Sequence, residues 1–182
     1  KRLHIVWLEK LLNYLHSHRD VGLIFDGHNT AVVKDVVLPL SQRYAELREI
    51  SDMPYHCFSD ANFANITDPR LRSTSGYCVF VFGSLVAWHS KRQTVTAKST
   101  LEAELIAACC AADEAVWLQR FACTVPFLFG FQQPGDPPPS EREVPPVPVL
   151  VDNLPAIQTA NHPRVTGNTK HIALRDFRTR DY

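Results

Sequence analysis

No two of the five cysteines stand in C-x-x-C spacing, no apolar stretch approaches the length of a membrane span, and neither sign of charge is in excess. Each absence excludes something. Cys57, Cys78, Cys109, Cys110 and Cys123 are odd in number and lack metal-ligand or disulfide spacing, which points to reduced core thiols and an intracellular setting. Without a run of roughly 18 apolar residues or a secretory signal, the chain carries no sign of a membrane partner. With 19 basic side chains against 19 acidic ones, and eight histidines, it is not a dedicated nucleic-acid coat protein, so any nucleic-acid contact must come from a local patch. The length of 182 residues suits one domain, or one domain with an appendage, and is ample for a sizeable core. The ends, KRLHIVWLEKLL and RTRDY, do not read as natural termini, and the chain is expected to be a fragment of something longer.

Apolar spacing predicts an amphipathic helix over residues 2–17 through Leu3, Val6, Trp7, Leu11, Tyr14 and Leu15, then a short strand in DVGLIF. Residues 26–53 are ambiguous. From Pro54 the pattern sharpens. YHCFSD reads as a strand ending at Asp60, ITDPRLRSTS as a polar loop, GYCVFVFG as a buried strand and LVAWHSK as a third, with Gly83-Ser84 as the hairpin turn. Ser99 followed by Glu102 is a capping-box signature opening a long helix from Thr100 to about Cys123. Seven of the thirteen prolines fall within 132–148, predicting a surface loop or stiff linker. VPVLVD is a strand ending at Asp152, and NLPAIQTA a short helix that Asp152 is placed to cap. Three strands, a long helix, a strand and a helix make an α/β fold, a mixed sheet with helices packed on it.

Two strands thus end on an aspartate, and the helix between them in sequence opens with LEAEL. If its first turn lies near those strand ends, one glutamate meets Asp60 and Asp152. Three converging carboxylates repel unless cations neutralise them, and hard oxygen ligands select Mg²⁺ or Mn²⁺. Such a cluster suits two-metal phosphodiester hydrolysis. Glu102 and Glu104 point about 200° apart on a helix. Glu104 stands beside the apolar line Leu101, Leu105, Ala108 and Ala112 and is assigned to the metal, while Glu102 is assigned to the cap.

FSDANFAN…RSTSGYCVF, WHSKRQ, STLEAELIAA, VDNLPAI and NTKHIALR, in this order, resemble the ribonuclease H domain of copia-type LTR-retrotransposon Pol polyproteins, from Tyr55 to about Arg175. The resemblance implies a ribonuclease H-like mixed sheet with flanking helices at 54–182, preceded at 1–53 by a segment connecting to a reverse transcriptase. It implies endonucleolytic cleavage of the RNA strand of RNA·DNA hybrids with two Mg²⁺ or Mn²⁺ ions, in a cytoplasmic particle or the nucleus, alongside reverse transcriptase and integrase regions of the same polyprotein. Asp60, Glu104 and Asp152 match three catalytic, metal-binding acids. The family's fourth follows a fifth strand, in a closing helix, and the sequence stops before either. Asn62 and Ala173 stand where the motifs carry aspartate, and Asp176, one helical turn beyond Ala173, is a candidate stand-in for the latter. Such departures raise the alternative of a non-catalytic remnant that binds nucleic acid or a protein. An integrase- or resolvase-type relative of the same fold is disfavoured, because RSTSGY and TKHI have no place in it.

Arg70, Arg72, His89, Lys91, Arg92 and Lys98 are candidates for phosphate contact, against the plainer reading of a solvated rim. Lys170 and His171 are candidates for substrate handling, against simple helix-start packing. The three tryptophans read as packing residues.

Overall fold

A computed structural model describes residues 2–22 and 53–161. The N-terminal pattern forms helix α1 at Arg2–Ser17, within the expected bounds. Its apolar residues Ile5, Leu8, Leu11, Leu12 and Leu15 are each more than half exposed.

Strands β1 (Tyr55–Asn62), β2 (Thr74–Val81) and β3 (Ser84–Arg92) form an antiparallel meander. Strand β4 (Val149–Val151) joins the free side of β1 in parallel, giving the order β3-β2-β1-β4. The β2–β3 turn is Phe82-Gly83, one residue earlier than the glycine-serine pair suggested. Both residues have positive φ (48° and 75°), the geometry of a turn whose twist matches the strands it joins. Strand β1 runs two residues past Asp60, because Ala61 and Asn62 still pair with Ser75 and Thr74.

Helix α2 (Thr100–Thr124) packs across β1 and β2. The Ser99 hydroxyl accepts the Glu102 N–H (3.1 Å), and the Glu102 carboxylate accepts the Lys98 N–H (2.7 Å), so the capping box closes one residue upstream of its usual partner. At the other end, the Val125 N–H bonds to the Phe121 carbonyl, and Pro126 opens a short 3₁₀ turn, Pro126–Phe129. The buried face of α2 is lined by alanines, among them Ala103, Ala107, Ala111, Ala115 and Ala122. Small side chains let the helix lie so close that the Cys57 Sγ rests 3.9 Å from the Ala111 carbonyl. Ala111→Leu is therefore expected to overpack this contact and destabilise the fold by about 1–3 kcal/mol, seen as a lower midpoint in urea unfolding with an unchanged slope.

The proline-rich segment is docked, not loose. Val144 and Val147 are buried in the core with Tyr55, Leu118 and Phe129. The Tyr55 hydroxyl donates to the Pro145 carbonyl, Gln119 Nε2 to the Val144 carbonyl (2.9 Å) and the Cys57 N–H to the Pro148 carbonyl (2.9 Å). The segment turns at Gln133–Asp136 and again at Ser140–Val144, and its valines anchor it. Helix α3 (Leu154–Asn161) follows β4, capped by Asn153, whose Oδ1 accepts the Ala156 N–H (2.9 Å). The cap is thus Asn153, which leaves the carboxylate of Asp152 available.

The result is a four-stranded mixed sheet with three helices among the described residues, compatible with a ribonuclease H-like fold. Of the cysteines, Cys57 is fully buried and the other four are half-buried. The five show no disulfide. Trp88 and Trp117 are exposed (63 % and 62 %), contrary to their reading as packing residues. Trp88 stands on the outer strand of the sheet and Trp117 stacks on Phe121 at the helix surface. No helix of the described residues is long and apolar enough to cross a membrane.

Candidate metal centre

The parallel register of β1 and β4 builds the site. Its last pair is Ser59 with Val151, so Asp60 and Asp152 are the next residues on neighbouring strands running in the same direction. In-register neighbours present their side chains to the same side of a sheet. The two carboxylates therefore leave it side by side, both exposed.

The third acid comes from the first turns of α2. Leu105 and Ala108 are buried beside it, so the rotation that seats the helix against the sheet also carries Glu104 inward, to 7 % exposure. Asp60, Glu104 and Asp152 each offer a carboxylate oxygen lying within 4.8 Å of the other two. Glu104 Oε2 is buried without a hydrogen-bond partner. Burial pushes its carboxyl up to about 7, helped by the charges of Asp60 and then Asp152 and opposed by a hydrogen bond with the Ala61 backbone. A carboxyl so placed is half-protonated near neutrality, and an approaching cation would strip that proton. Oxygen-only donors, one of them buried and open on the side of its neighbours, fit a hard divalent cation.

Glu102 is also buried, but its carboxylate is bound to the Lys98 N–H and it is not a member of the cluster. The first turn of α2 is fastened to the sheet by Gln93, whose Nε2 donates to both the Ser75 hydroxyl (2.8 Å) and the Ala103 carbonyl (2.9 Å). This tether lies one residue before Glu104 and fixes the height at which that side chain enters the site.

The basic candidates do not form one patch. Strand alternation sends His89 and Lys91 to the face that carries α2, and Arg92 to the other. The His89 ring stacks on Tyr77 (5.1 Å between centroids), whose hydroxyl donates to Glu114 Oε1 on α2 (2.8 Å). Lys91, Lys98 and Arg70 are exposed. Arg72 and Arg92 converge instead on Asp68, in the polar loop ITDPRLRSTS, which no local pattern marks. Lys170, His171, Ala173 and Asp176 lie outside the described residues.

No known protein-family profile matches the chain, and no solved structure matches it. It is similar to the retrovirus-related Pol polyprotein from transposon RE2 of Arabidopsis thaliana, 30 % identical over 92 % of this chain and 9 % of that protein. It is also similar to the retrovirus-related Pol polyprotein from transposon TNT 1-94 of Nicotiana tabacum, 42 % identical over 35 % of this chain and 5 % of that one. A protein named secreted RxLR effector protein 161, from Plasmopara viticola, is 34 % identical over 61 % of this chain and 62 % of its own length. The chain thus spans under two thirds of each of these relatives, and under a tenth of the Pol polyproteins.

Proposed function

We propose that this chain is a ribonuclease H-type nuclease module of a retrotransposon Pol polyprotein, residues 54–182 forming the nuclease and 1–53 the segment leading into it. The observation that carries the reading is the convergence of Asp60 in β1, Asp152 just after the parallel strand β4, and Glu104 in α2 on a space the size of a cation site. Similarity to Pol polyproteins of plant transposons supports the same origin. The substrate is the RNA strand of an RNA·DNA hybrid.

Asp60, Glu104 and Asp152 would hold divalent magnesium or manganese. Such ions, when bound in pairs, activate the attacking water and stabilise the leaving 3′ oxygen of a phosphodiester. The protein's own part is placement. Adjacent parallel strands fix the separation of the two aspartates, and the Gln93 tether fixes the helix that carries Glu104. Glu104 is the buried member, so it excludes water from the back of the site and sheds a proton when a cation enters. Asp60 and Asp152, being exposed, border the side from which a duplex approaches.

The test is a gel assay with a labelled RNA·DNA hybrid, an RNA duplex and a DNA duplex of one sequence, in Mg²⁺ and in Mn²⁺. Cleavage confined to the RNA of the hybrid supports the reading. Binding to the hybrid with no cutting under either metal points to the alternative, a nucleic-acid-binding remnant. Equal cutting of all three duplexes overturns the ribonuclease H assignment.

A further inference from the structure

The loop between β1 and β2 turns around one buried acid. Asp68 is 2 % exposed; its Oδ1 accepts the Arg70 N–H (2.7 Å), and its Oδ2 meets both Arg72 (Nε 3.1 Å, Nη2 3.0 Å) and Arg92 (Nη1 2.9 Å). The Arg70 N–H first, then the two guanidinium groups, hold the Asp68 carboxyl below its ordinary range. The same loop is bound to its surroundings by Thr96, whose hydroxyl donates to the Arg70 carbonyl, and by the Ser73 hydroxyl, which accepts the Ala64 N–H. Ala64 and Leu71 both sit at positive φ (48° and 50°), so the loop holds a strained path that these bonds enforce.

One carboxylate with one arginine would be a neutral structural pair. Here there are two arginines, which leaves a net positive charge, and their side chains remain 28 % and 41 % exposed. Each guanidinium has five N–H donors and spends only part of them on Asp68. Both side chains have already lost their rotamer freedom to that ion pair, so a further anion would be bound without that ordering cost.

The sheet register gives their location. Asn62, Thr74 and Arg92 form one row across β1, β2 and β3, two residues along from the row Asp60, Gly76 and Ser90. Two strand spacings across and two residues along put the Cα of Arg92 roughly 12 Å from that of Asp60. Strand alternation places Arg92 on the same sheet face as Asp60.

We infer that Arg72 and Arg92, clamped by the buried Asp68, form a binding site for the sugar-phosphate backbone of a nucleic-acid duplex, a few nucleotides from the bond presented to the acid cluster. The clamp rests on the nuclease reading for its ligand, but it acts in binding and not in chemistry. Asp68 is a positioning residue: it touches no phosphate and holds the two arginines that do.

The experiment is fluorescence anisotropy with a labelled RNA·DNA hybrid in EDTA, across a salt series, so that cleavage plays no part. Wild type is expected to bind with a salt slope that falls by about one in Arg92→Ala or Arg72→Ala, with affinity reduced about tenfold. Asp68→Asn should weaken binding despite raising the net positive charge, a result that a merely electrostatic patch would not give. Where Arg92→Ala fails to fold, Arg92→Lys decides: it keeps the charge but loses the fork, and a folded Arg92→Lys protein should bind several-fold more weakly. Folded variants that bind as wild type does, or a wild type that binds no hybrid, overturn the clamp. A wild type that cuts the hybrid while Arg92→Ala binds it normally removes the clamp and keeps the nuclease. A wild type that binds but never cuts, with Arg92→Ala weakened, does the reverse.

Discussion

Millimolar Mg²⁺ or Mn²⁺ is expected to raise the thermal midpoint of this chain strongly at about pH 8 and only slightly at about pH 5. Asp60, Glu104 and Asp152 approach within 4.8 Å, and Glu104 is buried with one oxygen unpartnered. In the metal-free protein the Glu104 carboxyl is raised from 4.5 to about 7, chiefly by burial. Between those values the native state holds a proton that the unfolded chain has lost. Metal-free stability is then greatest below the unfolded value, falls as pH rises from 4.5 to about 7, and levels off above it. The metal contribution runs the opposite way, since a cation needs the ionised carboxylate. At a free cation concentration near 100 times the dissociation constant the native state gains about 2.7 kcal/mol. For a domain of this size that is a midpoint rise of roughly 5–10 °C. Glu104→Gln should flatten the metal-free pH profile between about 4.5 and 7 and remove most of the metal response. Asp60→Asn should also remove most of the metal response, and it can stabilise the metal-free fold by relieving repulsion. Scanning calorimetry at several pH values, with and without metal, checks all of this. A full metal response in Asp60→Asn would place the ions elsewhere.

Much of this site is readable in one dimension because two periodicities converge on it. An apolar run that closes on an aspartate, as YHCFSD and VPVLVD do, signals a strand with an acid near its end; β1 in fact runs on to Asn62, and β4 stops one residue before Asp152. The position of Glu104 beside Leu105 and Ala108 then follows from the helical period alone. The helix cap was legible for the same reason, since Ser99 and Glu102 interact across three residues. What stayed hidden depends on contacts between distant residues. Asp68 reads as a turn aspartate because Arg92 is brought to it only by the β2–β3 hairpin. The docking of the proline-rich segment depends on Val144 and Val147 meeting Tyr55 and Phe129, which no local pattern reports. Trp88 and Trp117 stand at the surface although hydrophobicity points inward, a rule that works in one direction only: large apolar residues fill cores, yet many remain outside. The hairpin turn was misplaced by one residue because Phe82 adopts a positive φ that its side chain does not advertise.

Asp60→Asn, Glu104→Gln and Asp152→Asn are each expected to reduce hybrid cleavage by about 1,000-fold or more, and the triple variant to be little worse than any single one. Groups that act as a unit give such non-additive losses, because removing one member leaves the others without a function. The geometry supports a unit: two aspartates on neighbouring strands and one glutamate share a space too small for independent sites. Cleavage by wild type is expected to be faster in Mn²⁺ than in Mg²⁺, which demands nearly ideal octahedral coordination. Glu102 supplies the internal control. It lies two residues from Glu104 and is equally buried, but its carboxylate is committed to the Lys98 N–H at the helix start. Glu102→Ala should therefore lower stability by about 1 kcal/mol through the lost cap, while cleavage per folded molecule stays within a few-fold of wild type. Single-turnover rates on the hybrid, corrected for the folded fraction by circular dichroism, separate the two glutamates. A Glu102→Ala protein that is stable but inactive would reverse their roles, and strong Mg²⁺-dependent cutting by wild type would point to a further acid outside the described residues, with Asp176 the first to replace by asparagine.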